Sequence, residues 1–186
     1  MLSTIIVTVN RCAHAVGCCD RSAEGGAISA SSRDRLSPGL APQPPSGLPS
    51  ELADGLGYLL ARAGGQAIRE LNRELAPLGM RARHHSVLAV AADAGGRSQR
   101  ELGELLGIDP SAVVALVDDL ERDGLLRRDP HPVDRRTRLI VATDAGRERL
   151  ARTRELARAV DAELLAEFTE PEREAVVRLL RRITGG

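Results

Sequence analysis

From Ser50 onward, apolar residues recur at intervals of three and four. Leu52, Leu56, Leu59, Leu60, Ala63, Ala67, Ile68, Leu71 and Leu75 predict one helix over 51–76. Ser50 is its expected N-cap, Glu51 and Asp54 place negative charge in its first turn, and Pro77 stops it. Such a helix would run roughly 39 Å. Gly64-Gly65 in its middle mark a kink or a close helix contact. A shorter helix follows from about Arg83 to Ala92, closed by Gly95-Gly96.

The next stretch carries the strongest local signals. Ser98-Gln99-Arg100-Glu101 reads as a capping box, opening a short helix with Leu102, Leu105 and Leu106. Gly107 closes it in a position that calls for a left-handed residue. Only Ile108 separates Gly107 from the next start signal, Asp109 as N-cap with Pro110 at the first helical position. Two helices joined by so short a turn must cross steeply, which predicts a helix-turn-helix. Val113, Leu116, Val117 and Leu120 form one narrow apolar stripe on the second helix, and Gly124 ends it. Leu125–Arg128 then predicts a strand, 129–136 a charged loop and Arg138–Ala142 the returning strand. A helix-turn-helix followed by such a hairpin is a winged helix.

Two further helices are expected. Thr143 caps one running to about Glu167, with Leu150, Leu156, Val160, Leu164 and Leu165 on its apolar side. Thr169-Glu170-Pro171-Glu172 is a second capping box, ahead of Val176, Val177, Leu179, Leu180 and Ile183. The fold class is therefore mainly α with a small β-hairpin wing. The winged helix-turn-helix lies at about 80–143, flanked by helices at about 51–76 and 144–184 within a unit of 50–186. These outer helices carry more apolar surface than the winged segment can cover. A two-fold symmetric homodimer covers it most economically, the alternative being an intramolecular hairpin of the last two helices.

Composition narrows the chemistry. Residues 22–49 are rich in Ser, Gly and Pro, and 1–49 as a whole is read as a disordered N-terminal extension. Cys12, Cys18 and Cys19 all fall there, so they form no disulfide framework for the folded part, in keeping with a reducing cytoplasm. Cys12, His14, Cys18 and Cys19 number enough for a metal site, but their spacing matches no known ligand pattern. No metal and no cofactor is expected. The apolar run Leu2–Val9 is far shorter than the ~20 residues of a membrane span, and no membrane partner is expected. All 26 basic residues are Arg, which excludes Lys-dependent chemistry such as a P-loop or a Schiff base. Aromatics are confined to Tyr58 and Phe168, which argues against a base-stacking single-strand binder. The 26 acidic residues balance the arginines, so any attraction to DNA must come from a local patch. No hydrolase, zinc-protease or nucleotide-binding motif appears in 50–186, and no enzyme is expected.

Residues 51–184 resemble the MarR family of bacterial transcriptional regulators. The order of elements matches, and the most specific stretches are Ser98–Leu106, Val113–Gly124 and Asp134-Arg135-Arg136 through Leu139 to Gly146. The resemblance implies a homodimer on pseudo-palindromic double-stranded DNA, responsive to a small anionic or phenolic effector. It also implies that Arg136 enters the minor groove while Asp134 braces it, a role suited to the concentrated negative potential of a narrow groove. Arg135 and Arg138 are assigned to phosphates.

Stepping 100° per residue around the recognition helix turns Ser111, Ala112, Val114 and Ala115 toward base edges. Its first two turns lack Arg, Asn and Gln, unlike many members of the family, so the charge resides in the wing. Arg127–Arg138 holds five Arg against Asp129 and Asp134, whereas Ser98–Leu150 holds nine Arg against eleven acids. Ser98 and Gln99 are expected to touch phosphates. His84 and His85 begin the second helix, where the family builds an effector cavity. Packing or surface histidines are the plainer interpretation of that pair. The function read from these features is a sequence-specific, ligand-responsive repressor. Its rivals are a dimeric winged-helix module that binds protein without reading DNA, and an architectural binder without sequence preference.

Overall fold

The computed structural model describes residues 48–185, Ala94 and Arg135 excepted. The expectations for the extension, including Cys12, His14, Cys18 and Cys19, and for Arg135, lie outside the described residues.

The long helix expected over 51–76 is two helices. A four-residue α1, Ser50–Ala53, precedes α2, Leu56–Leu75, and Pro49 rather than Ser50 holds the N-cap position of α1. Gly55 makes the break. Its backbone is extended (φ −66°, ψ 122°), and its N–H turns back to the Leu52 carbonyl at 3.1 Å. Glycine loses more backbone entropy on entering a helix than any other residue, which favours a break there. The 20 residues of α2 span about 30 Å and run through Gly64-Gly65 without interruption. Pro77 sits in a 3-10 turn, Ala76–Leu78, that ends this segment.

α3, Ala82–Ala91, is tied to α2 where the Ala82 N–H donates to Asn72 Oδ1 at 2.8 Å. α4, Gln99–Leu106, opens on the capping box of Ser98 and Glu101. Gly107 then takes φ 59°, ψ 34°, the left-handed geometry that lets the chain turn within two residues. α5, Pro110–Arg122, starts with Asp109 accepting the Ser111 N–H.

The wing strands are β2, Leu126–Pro130, and β3, Arg138–Ala142, in antiparallel register from Leu126 opposite Ala142 to Pro130 opposite Arg138. β2 thus extends two residues beyond Arg128. A third strand, β1 (Arg97–Ser98), pairs with Ile140 and Leu139 of β3, so the hairpin is part of a three-stranded sheet with β3 in the centre. Two residues are too few to show the alternation by which strands are read. α6, Asp144–Leu164, stops short of Glu167, and α7, Glu170–Thr184, follows its capping box.

The core lies where α3, α4, α5 and β3 meet. Val87, Leu88, Leu102, Val113, Val117 and Ile140 are all completely buried. Each such side chain contributes roughly 1.5–3 kcal/mol by leaving water. Leu150, Ala157 and Val160 bring α6 onto this core. By contrast α7 buries no residue, so the last two helices do not form a closed intramolecular pair. Leu52, Leu56 and Leu59 on α1 and α2, and Phe168, Leu179 and Ile183 in and just before α7, stay exposed.

Candidate nucleic-acid interface

The recognition helix is held by Val113, Val117 and Leu120, all buried, with Leu116 half-buried on the edge of the stripe. Ser111, Val114 and Ala115 are exposed on the other side and Ala112 is half-buried. The Ser111 hydroxyl donates to Asp109 Oδ1 at 2.5 Å, and the Ser111 N–H donates to the same oxygen at 2.9 Å. Its proton is thereby committed, and the hydroxyl oxygen keeps acceptor capacity toward a ligand.

The wing tip is built by two acceptors. His131 Nδ1 accepts the N–H groups of Val133 and Asp134, at 3.2 and 3.0 Å. Asp134 accepts the Thr137 hydroxyl at 2.8 Å and the Arg136 N–H at 3.0 Å. The hydroxyl first, then the amide, holds its carboxyl below the ordinary aspartate range. Asp134 thus fixes the backbone of Arg136. Arg136 and Arg138 are exposed, and among the described residues neither forms an ion pair. The excess of arginine in the wing is smaller than the residue count suggested. Arg127 pairs with Asp129 at 3.0 Å, and Arg128 pairs with Asp118 and Glu121 of α5. Nothing in the residue count marked Arg128 as different from its neighbours. The available signal was the i, i+3 spacing of two acids on the outer face of α5.

The phosphate role expected of Ser98 meets a competing demand. Its N–H and its hydroxyl both donate to Glu101, at 2.8 and 2.7 Å, so neither donor is free while the capping box stands. The Ser98 hydroxyl and amide hold the Glu101 carboxyl below its ordinary range. Beside them, Gln99 Nε2 is buried with no hydrogen-bond partner among the described residues.

His84 and His85 point apart. His84 is half-buried, accepts the Arg81 N–H at Nδ1 and places Nε2 3.7 Å from Asp119 of the recognition helix. Burial lowers its pKa, and the Asp119 carboxylate opposes that shift. His85 is buried, 2.8 Å from the Thr153 hydroxyl on α6, and its burial, with Arg154 in support, also lowers its pKa. The pair therefore joins α3 to both neighbouring layers. A groove of about 780 Å³ opens elsewhere, between α6 and α7, lined among others by Arg158, Asp161, Leu165, Arg173 and Val177. Among the described residues no cluster of three or more His, Cys, Asp or Glu could hold a metal, and no helix is long and apolar enough to cross a membrane.

Two amphipathic helices joined by the tight turn at Gly107, with a charged antiparallel hairpin beside them, define a winged helix-turn-helix DNA-binding domain. Comparison with known proteins narrows the class. The MarR family model matches residues 78–137. A putative transcriptional regulatory protein for the hcr operon of Thauera aromatica is 32% identical over 133 residues, 71% of this chain and 80% of that protein. CouR of Rhodococcus jostii RHA1, solved bound to p-coumaroyl-CoA, is 36% identical with a TM-score of 0.65, covering 72% of this chain and 94% of that one. The transcriptional repressor CouR bound to a 23-mer DNA duplex is 34% identical with a TM-score of 0.67 over the same shares. The chain belongs to the MarR family, whose members are DNA-binding transcriptional regulators and not enzymes.

Proposed function

We propose that the chain is a cytoplasmic repressor that binds a pseudo-palindromic operator as a homodimer and responds to a small anionic or phenolic effector. The observation that carries this reading is the pairing of an uncharged recognition face (Ser111, Ala112, Val114 and Ala115) with exposed arginines, Arg136 and Arg138, on the adjacent wing. The uncharged face suits major-groove edges, and the guanidiniums suit a narrow minor groove and its phosphates. Ser111 presents an acceptor, so it favours the amino group of adenine or cytosine, while Val114 and Ala115 favour thymine methyls. Selection from a random duplex pool should return a two-fold symmetric motif with half-sites about one helical turn apart. Lack of enrichment would favour the protein-binding module. On the selected site, Ser111→Ala should cost about tenfold in discrimination at one base pair per half-site.

Dimerisation supports the same reading. The apolar residues left exposed on α1, α2 and α7 offer surface for a second copy to cover. CouR binds p-coumaroyl-CoA, which sets the aromatic acid thioesters and their parent acids as the first effector class to test here.

Asp161 gives this region a pH signature. Burial in the groove between α6 and α7 pushes its pKa up to about 6, from an ordinary value of 3.8. The folded state then binds the proton more tightly than the unfolded one. The resulting stabilisation is complete below pH 3.8 and disappears as pH rises through about 6. Asp161→Asn should therefore raise thermal stability at pH 7.5 by roughly 1 kcal/mol, allowing for the solvent that still reaches the groove, and add little at pH 4. Melting curves at the two pH values check it, and equal shifts at both would reject the desolvation account.

A further inference from the structure

We infer that Arg128 is a positioning residue for DNA recognition, a latch that ties the wing to the recognition helix and takes no phosphate itself. The inference rests on the DNA-binding reading above and deepens it.

Asp118 and Glu121 stand three residues apart on α5, so their carboxylates project from one side of the helix. After Gly124 turns the chain (φ 71°), β2 brings Arg128 back toward that side. One Nη of its guanidinium reaches Asp118 Oδ1 at 2.5 Å, and the other reaches Glu121 Oε2. Arg128 stands opposite Ile140 in the sheet, so its stem lies on the core-facing side. The result is a partly enclosed side chain, 27% exposed against 61% for the neighbouring Arg127. Both ends of the planar fork are occupied, a geometry that the point charge of lysine does not reproduce. Arg136 and Arg138, in contrast, carry exposed guanidiniums without ion-pair partners among the described residues.

The arrangement has two consequences. It sets the angle between hairpin and helix, so that the wing tip and the recognition face reach adjacent grooves together. It also offsets about half of the charge of two carboxylates on the outer face of α5, which would otherwise repel phosphates. These consequences make opposite forecasts for one variant. Removing both carboxylates takes two negative charges away from the DNA side, and by charge alone it should tighten binding to every duplex. If the latch matters, the same change weakens operator binding, because the hairpin loses its anchor.

The test uses the full chain, with Arg128→Met, Arg128→Lys and a double variant, Asp118→Ala with Glu121→Ala. Affinity for the selected operator and for a random duplex is measured across a range of salt, and hydrogen exchange of the β2–β3 amides is followed in the free protein. Arg128→Met should lose about tenfold or more on the operator and clearly less on random DNA, where only the repulsion of the two uncovered carboxylates acts, with the slope of affinity against salt nearly unchanged. Arg128→Lys should fall between it and the parent, and the double variant should show the same operator loss. Exchange in the hairpin should quicken several-fold in both the methionine and the double variant. Tighter binding of the double variant to both duplexes would overturn the latch. So would an Arg128→Met defect that is equal on both duplexes and lowers the salt slope by about one, the mark of a phosphate ligand. If the parent selects no duplex at all, the DNA-binding reading fails, and exchange still decides the latch: unchanged rates in both variants refute it.

Discussion

Replacing Arg136 with alanine should weaken operator binding by about 100-fold while leaving helical content and melting temperature unchanged. A guanidinium in a narrow minor groove makes charge-assisted contacts of about 1.5 kcal/mol net, and a symmetric dimer presents two wings, so about 3 kcal/mol is lost together. The stability of the protomer should not suffer, because the side chain is exposed and the turn around it is held by other groups. Asp134 fixes the Arg136 amide, and His131 fixes the amides of Val133 and Asp134. Titration of a labelled operator at several salt concentrations checks the forecast. The slope of log affinity against log salt should fall by about two per dimer. A loss under threefold, or one accompanied by unfolding, would remove Arg136 from the interface.

The parts of the fold that were legible in the sequence are those decided by local chemistry. The capping boxes at Ser98 and Thr169, the left-handed Gly107 and the Asp109-Pro110 start each encode a helix end within a few residues. The recognition helix was legible because its stripe of Val113, Val117 and Leu120 repeats at helical spacing over a single element. Features that depend on partners distant in sequence were not. β1 exists only because Arg97 and Ser98 meet Ile140 and Leu139, some forty positions on. The break at Gly55 competes with a hydrophobic repeat that continues on both sides of it, and the repeat says nothing about which side breaks.

The candidate site divides along the same line. Exposure of Ser111, Val114 and Ala115 follows from periodicity alone, and the structure places them outward. The committed state of each polar group does not follow. Ser98 loses its donors to Glu101, Ser111 directs its hydroxyl hydrogen bond to Asp109, and Arg128 spends its charge on Asp118 and Glu121. Residue counts treat every arginine in the wing as equally available, whereas geometry separates paired Arg127 and Arg128 from Arg136 and Arg138.

Gly146→Ala is the substitution expected to cost the most stability. Glycine to alanine inside a helix ordinarily gains about 1 kcal/mol, so the usual sign is stabilising. At Gly146 the sign reverses. A Cβ there would lie 2.1 Å from the Leu125 carbonyl oxygen and 3.3 Å from Leu88 Cδ1. The carbonyl cannot easily retreat, because it accepts the Thr143 N–H at 3.1 Å. Thr143 is itself fixed, its hydroxyl donating to the Gly124 carbonyl at 2.7 Å and accepting the Gly146 N–H at 3.0 Å. Relief therefore requires the start of α6 to move off the end of the recognition-helix segment, opening the core at Leu88 and Leu125. A penalty on the order of 3 kcal/mol is expected for overpacking against fixed backbone. That corresponds to a fall in melting temperature on the order of 10 °C. Gly57→Ala in α2, where an added Cβ meets nothing within 4 Å, supplies the control and should be neutral or slightly stabilising. Thermal melts followed by circular dichroism read both. Equal melting temperatures for the two variants would mean that α6 and the Leu125 carbonyl do not approach as closely as described. A selective loss at Gly146 would show that the glycine of the Thr143-Asp144-Ala145-Gly146 helix start is required by the joint between wing and outer helices.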